Sequence, residues 1–171
     1  MFEIKTADEL VDPELEVRWK IRRANRQASV LEAVLRSFVD QPGPVTVERI
    51  AAALPDQPVQ TVTESLVRLD ADDLIQLESD RVETAYPFSA APTPFVVRLT
   101  EGHERFACCA IDALGVAPML GQRVHVRSRC HHSASAIEFS VAADGPGPEA
   151  AGVMVWVGKR EEGDRRVITS F

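Results

Sequence analysis

Cys109 and Asp112, three residues apart, are the two side chains of this chain best placed to do chemistry together. They lie in the run Phe106-Ala-Cys-Cys-Ala-Ile-Asp-Ala-Leu-Gly115, which has no interior Gly or Pro and is rich in Ala and Leu. Such a run predicts a short helix ending at Gly115, with Pro118 just beyond. Residues three apart share a helical face, so sulfur and carboxyl would address one small volume. A soft nucleophile beside a proton donor is an arrangement that some reactions require. Cys108 would project about 100° away around the same helix. A cysteine on an Ala/Leu-rich helix is equally at home as a small buried apolar residue, and Asp112 as a cap or a partner of arginine.

The elements that must position this pair fall in two groups. Residues 1–27 read as a charged leader, helical in part from about Pro13. Ala28 to Val39 carries Val30, Leu31, Val34, Leu35 and Phe38, the stripe of an amphipathic helix. Val45-Thr-Val47 is a short extended piece, and Thr46 caps a helix through Leu54. A third helix runs from Val59 to Asp70 with Val62, Leu66 and Leu69 on one side. Leu74 to Thr84 reads as two strands about a Ser-Asp turn. Three helices and a hairpin over residues 28–84 have the pattern of a winged helix-turn-helix domain.

Ala85 to Pro94 holds three prolines in ten residues and predicts an extended connector. Strands follow at Phe95–Leu99, Arg123–Ser128 and Ala136–Val141, the last two paired across Cys130–Ser135. Gly145-Pro-Gly-Pro148 is expected to break the sheet, with further strands at Gly152–Val157 and Arg165–Ser170. The fold class expected is α+β: a winged helix-turn-helix-like domain, then a mixed β-sheet domain with a short cysteine-bearing helix.

Composition narrows the function. The 171 residues carry a net charge of −7, and no apolar run approaches membrane-spanning length. The N-terminus lacks the layout of a secretory signal. Three cysteines, two of them adjacent, make a poor disulfide framework, so free thiols in a cytoplasmic protein are expected. Acidity disfavours a nucleic-acid partner. The third helix offers Arg68 as its one cation, and the hairpin sets Glu78, Asp80 and Glu83 against Arg81. The basic cluster Arg18 to Arg26 reads as a solvated face pairing with the preceding acids. Cys130-His131-His132 has metal-ligand residue types, but no spaced partner pair accompanies it, so it reads as a loop. No cofactor motif is present: there is no Gly-rich phosphate loop, and neither a cofactor nor a resident metal is expected.

The runs Tyr86-Pro-Phe-Ser-Ala-Ala-Pro-Thr-Pro94, Cys109-Ala-Ile-Asp-Ala-Leu-Gly115 and Val124-His-Val-Arg-Ser-Arg-Cys130 together resemble the alkylmercury (organomercurial) lyase family. The resemblance covers roughly residues 28–171 and makes 85–171 the catalytic part. It implies cleavage of carbon–mercury bonds by thiolate-assisted protonolysis, giving a hydrocarbon and Hg(II). Cys109 would be the thiolate that binds mercury, and Asp112 the acid that protonates the leaving carbon. The partners implied are an organomercurial substrate and small thiols. Members use a second cysteine, downstream of a segment resembling Asp164 to Phe171, where this chain stops. The resemblance therefore implies that the C-terminal part of the domain is missing, with Cys108 and Cys130 the local candidates for a second sulfur. In the family, the position of Cys130 is usually structural. The alternatives are a winged-helix binding or thiophilic-metal-sensing protein, or a catalytically impaired relative.

Overall fold

The computed structural model describes residues 3–6, 8–10, 13, 17, 20 and 27–156. The leader helix from Pro13, the basic cluster, and the strand at Arg165–Ser170 fall largely or wholly outside these residues. Within them the fold is α+β, with four α-helices and nine strands.

Helix α1 (Ala28–Asp40) buries Val30, Leu31, Val34 and Phe38, the stripe its spacing predicts. Strand β1 (Val45–Thr46) leads into α2 (Val47–Ala52), where Thr46 caps by accepting from Arg49 N at 3.3 Å. Helix α3 (Val59–Ala71) buries Val62, Ser65, Leu66 and Leu69. It ends in a Schellman pattern, with Leu74 N donating to Leu69 O at 3.0 Å and Asp73 N to Asp70 O at 3.0 Å. Asp73 occupies the left-handed position at φ 59° and is itself buried. Strands β2 (Ile75–Glu78) and β3 (Arg81–Ala85) form the hairpin expected around Ser79-Asp80.

From there one sheet continues without a break across the expected boundary at residue 84. Its order is β1-β3-β4-β6-β5-β7-β8-β9, with β2 also on β3, and every pairing is antiparallel. The later strands are β4 (Phe88–Ser89), β5 (Val96–Arg98), β6 (Glu104–Ala107), β7 (Val124–Arg129), β8 (Ala136–Ala142) and β9 (Gly145–Pro146). The proline-rich connector thus contributes a strand of its own, β4. Helix α4 (Ala110–Leu120) packs on the face formed by Val97, Val124, Val126, Phe139 and Val141, all buried. The opposite face is wet, as one-sided antiparallel sheets commonly are. There Glu104 bridges Arg98 at 3.1 Å and Arg127 at 3.2 Å.

Four expectations need correction. Phe106 and Ala107 are in β6, not in the cysteine helix, because both edges of β6 are occupied by β4 and β5. The helix does not stop at Gly115 but runs through Gly115 and Pro118 to Leu120, ending at Gly121 with φ 64°. Gly and Pro in a helix interior cost about 1 and about 3 kcal/mol, and burial of Val116 and Ala117 against the sheet outweighs local preference. Gly145-Pro146 does not break the sheet; it pairs with Val141 and Ala142. Residues 152–156 form no strand and leave Val153, Met154 and Trp156 exposed.

The two halves are joined by Arg105, which is 6% exposed. Its Nε donates to Phe38 O at 2.6 Å and its Nη2 to Val39 O at 2.6 Å, satisfying carbonyls in the last turn of α1. Beside it the rings of Phe38 and Phe88 stack at 6.1 Å. Replacing Arg105 with Ala strands these carbonyls, so the folding free energy should fall by about 3 kcal/mol. Urea denaturation checks this; a loss within error of zero would show that the carbonyls find other partners.

Candidate active site

Strand β6 carries the chain straight into the thiols. Ala107 is held on both sides: its N–H donates to Phe95 O at 2.9 Å, and its carbonyl accepts from Thr93 Oγ1 at 2.6 Å. Cys108 is then fixed by the β3–β4 turn. Its N–H donates to Pro87 O at 3.0 Å and its Sγ to Phe88 O at 3.2 Å. Cys109 remains extended, with φ −146°, and serves as the N-cap of α4. Side-chain oxygens usually fill this role; here Cys109 Sγ accepts from Asp112 N at 3.5 Å. The pair predicted to share a helical face therefore meets differently, as the cap and the third residue of the first turn.

The thiol and the carboxyl also lie close enough for each to shift the other's titration. Burial pushes the Cys109 thiol up, and the Asp112 carboxyl adds to this, carrying it to about 11. Burial also raises Asp112, although its bonds to Cys109 pull the other way. At neutral pH the proton accordingly rests on sulfur, beside a carboxyl that holds protons more readily than usual. Cys108 is pushed up further, by burial first and then by Asp112 and Cys109.

The remaining sequence candidates lie apart from this arrangement. Cys130 opens the β7–β8 turn, where Ser133 lowers its thiol, and His131 and His132 are exposed. No cluster of three or more His, Cys, Asp or Glu side chains able to hold a metal ion occurs among the described residues. No helix among them is long and apolar enough to cross a membrane. A groove of about 570 Å³ runs between α1 and α2 past Glu32, Arg36, Asp40 and Arg49, and no cysteine lines it.

Sequence reasoning assigned no role to Arg105 or Thr93, which brace β6, or to Tyr86. The Tyr86 hydroxyl oxygen has essentially no solvent-accessible surface. The group is pushed well up by burial and by the nearby charges of Asp73, Cys108, Asp112 and Cys109. A lone tyrosine before a proline carries no pattern that reveals such surroundings.

Fold and site together define an α+β protein with a half-buried thiol–carboxyl pair at the start of a sheet-packed helix. The profile of the alkylmercury lyase family matches residues 88–170, which contain this pair, and this part of the chain is similar to that family. An alkylmercury lyase of Staphylococcus epidermidis is 31% identical over 101 residues, covering 59% of this chain and 44% of the relative. One from Streptomyces lividans is 33% identical over 110 residues, covering 64% and 49%. The chain thus spans about half the length of the curated relatives it matches. A crystal structure described as the mercury-bound form of MerB2 superposes with a TM-score of 0.64 at 26% identity, covering 80% of this chain and 66% of that one.

The raised thiol makes its own test. Alkylation of Cys109 by iodoacetamide, followed with Cys108 and Cys130 replaced by Ala, should be slow at neutral pH and climb toward a midpoint near 11. Asp112→Asn removes the carboxylate that holds the proton on sulfur, so the midpoint should move down. An unchanged midpoint in that variant would separate the two groups.

Proposed function

We propose that this protein is an organomercurial lyase in which Cys109 captures the mercury and Asp112 delivers the proton. The observation that carries this reading is the Cys109–Asp112 pair at the head of α4, where Cys109 Sγ accepts from Asp112 N at 3.5 Å and the carboxyl lies beside the thiol. Mercury(II) is a soft ion that prefers sulfur to oxygen or nitrogen, so the thiol is the group that an R–Hg⁺ species would seek. As the Hg–S bond forms, the thiol proton passes to the neighbouring Asp112 carboxylate. Capture therefore loads the acid. A carbanion is a very poor leaving group, so carbon must take that proton as the C–Hg bond breaks. The hydrocarbon leaves, Asp112 is again a carboxylate, and Hg(II) remains on sulfur. Small thiols then supply further sulfur donors, strengthening electron donation to mercury and carrying the ion away.

Burial supports the same sequence of events. A desolvated carboxyl keeps a proton longer and yields it to a strong base, which an alkyl or aryl group leaving mercury becomes. The hairpin lends little to a DNA-binding alternative, since its Arg81 lies 3.6 Å from Asp80 and 3.9 Å from Glu83.

Phenylmercury in the presence of excess small thiol, with benzene as the product measured, tests the reading. Cys109→Ser should abolish both capture and cleavage, because a hydroxyl is a hard, feeble mercury ligand. Asp112→Asn should retain capture and lower benzene release about a hundredfold or more. Cys108→Ser should matter less than either. Capture by the parent without benzene release would mark a binding protein rather than a lyase. Parent and Cys109→Ser behaving alike in both measurements would overturn the assignment.

A further inference from the structure

Strand β8 is paired along nearly its full length on one side and over only two residues on the other. Toward β7 every residue from Ala136 to Val141 has a partner, whereas β9 takes only Val141 and Ala142. Ser140 marks which backbone groups point to the β9 side. Its carbonyl accepts from Gly147 N at 2.8 Å, and its N–H donates to Glu149 Oε1 at 2.7 Å. Backbone groups alternate along an antiparallel strand, so the N–H and C=O of Glu138 and Ala136 point the same way. Among the described residues no strand pairs with them. Where a neighbouring strand would offer Ser140 a carbonyl, a side chain does so instead. After β9 the chain turns through Pro148–Ala150, with Ala150 N donating to Gly147 O at 3.0 Å, which brings Glu149 back onto β8. Gly147 has φ −68°, open to any residue, so its lack of a side chain serves space rather than backbone freedom. A Cβ there would run into the Glu149 carboxyl.

An open strand edge is a template for pairing with another chain, and folded proteins close such edges with charged side chains or by covering them. We propose that Glu149 is an autoinhibitory contact on the outer edge of β8: by occupying the Ser140 N–H it stops strand addition there, and without it the edge pairs antiparallel with the same edge of a second copy. The occupant is a second copy because the edge is complementary to itself. Two β8 strands related by a two-fold axis at Glu138 set Ser140 of each against Ala136 of the other, so that each outward donor meets an outward acceptor. Such a pair also sets Glu138 against its own counterpart, and this carboxylate discourages pairing a second time. The Ser140 N–H in turn holds the Glu149 carboxyl below the usual carboxylate range, so the blocking group is an anion at neutral pH.

Glu149→Ala removes the contact, and Gly147→Ala displaces the carboxyl while leaving it intact. Parent and variants are compared for hydrogen exchange at the Ser140 amide in dilute solution, and for self-association by sedimentation equilibrium across a concentration series. The expected result is Ser140 exchange and an association constant both raised at least tenfold in each variant. Adding Ala136→Pro removes an outward N–H at the first residue of β8, a position where proline is tolerated, and should return association to the parent's level. Unchanged Ser140 exchange in Glu149→Ala overturns the proposal, because the contact then protects nothing. So does faster exchange with the parent's association constant. Association that survives Ala136→Pro overturns it as well, since the copies then meet through another surface, such as the exposed Val153 and Met154. Should Glu149→Ala fail to fold, as judged by circular dichroism, Gly147→Ala decides by the same criteria.

Discussion

Everything at the thiol end of this protein hangs on where β6 lies, and β6 is placed by a buried guanidinium. Arg105 reaches out of the strand to close the last turn of α1, while the Phe38–Phe88 stack fills the space beside it. Burial works against the charge, and the guanidinium is held below its ordinary value. Three short bonds to main-chain carbonyls, of Phe38, Val39 and Glu104, compensate, as such a desolvated charge demands. Because the contact is made to backbone, it fixes the helix axis against the strand and not merely one side chain against another. Cys108 and Cys109 come three and four residues after Arg105, so the strand direction set there determines where the sulfurs emerge.

At the head of α4 two opposing influences act on one thiol. The N-terminus of a helix favours negative charge, by roughly 0.3–1 kcal/mol in exposed settings, and commonly lowers thiol pKa values. Burial and the Asp112 carboxyl act in the other direction and prevail, since the group ends about two units above its ordinary 9.0. The result is a resting site that is protonated and unreactive toward hard electrophiles.

Much of the fold was legible from periodicity. The stripes of α1 and α3, the Thr46 cap, the Ser79-Asp80 hairpin and the β7–β8 pair are local patterns, and each appears where its spacing placed it. The family resemblance, read from the residues around Cys109, agrees with the comparisons. What local reasoning missed was set by distant contacts. The helix of Cys109 begins later and ends later than its sequence suggests, because β4 and β5 claim Phe106 and Ala107 and the sheet holds Val116 and Ala117. Arg105 fell in no expected element, since the carbonyls it bonds in α1 lie far away in sequence, and Tyr86 fell in the expected extended connector.

The burial around Cys109 has a consequence for the fold as a whole in alkaline solution. Cys108, Cys109 and Tyr86 all hold their protons more tightly in the native chain than ordinary groups of their kind, chiefly because they are buried. Groups shifted upward in this way stabilise the native state fully below their unfolded values, near 9 to 10, and that contribution drains away as the pH climbs through the raised ones. All three sit where the β3–β4 turn meets the head of α4. Base would therefore open this protein first at the head of α4, while the stripe-packed helices at the other end still hold.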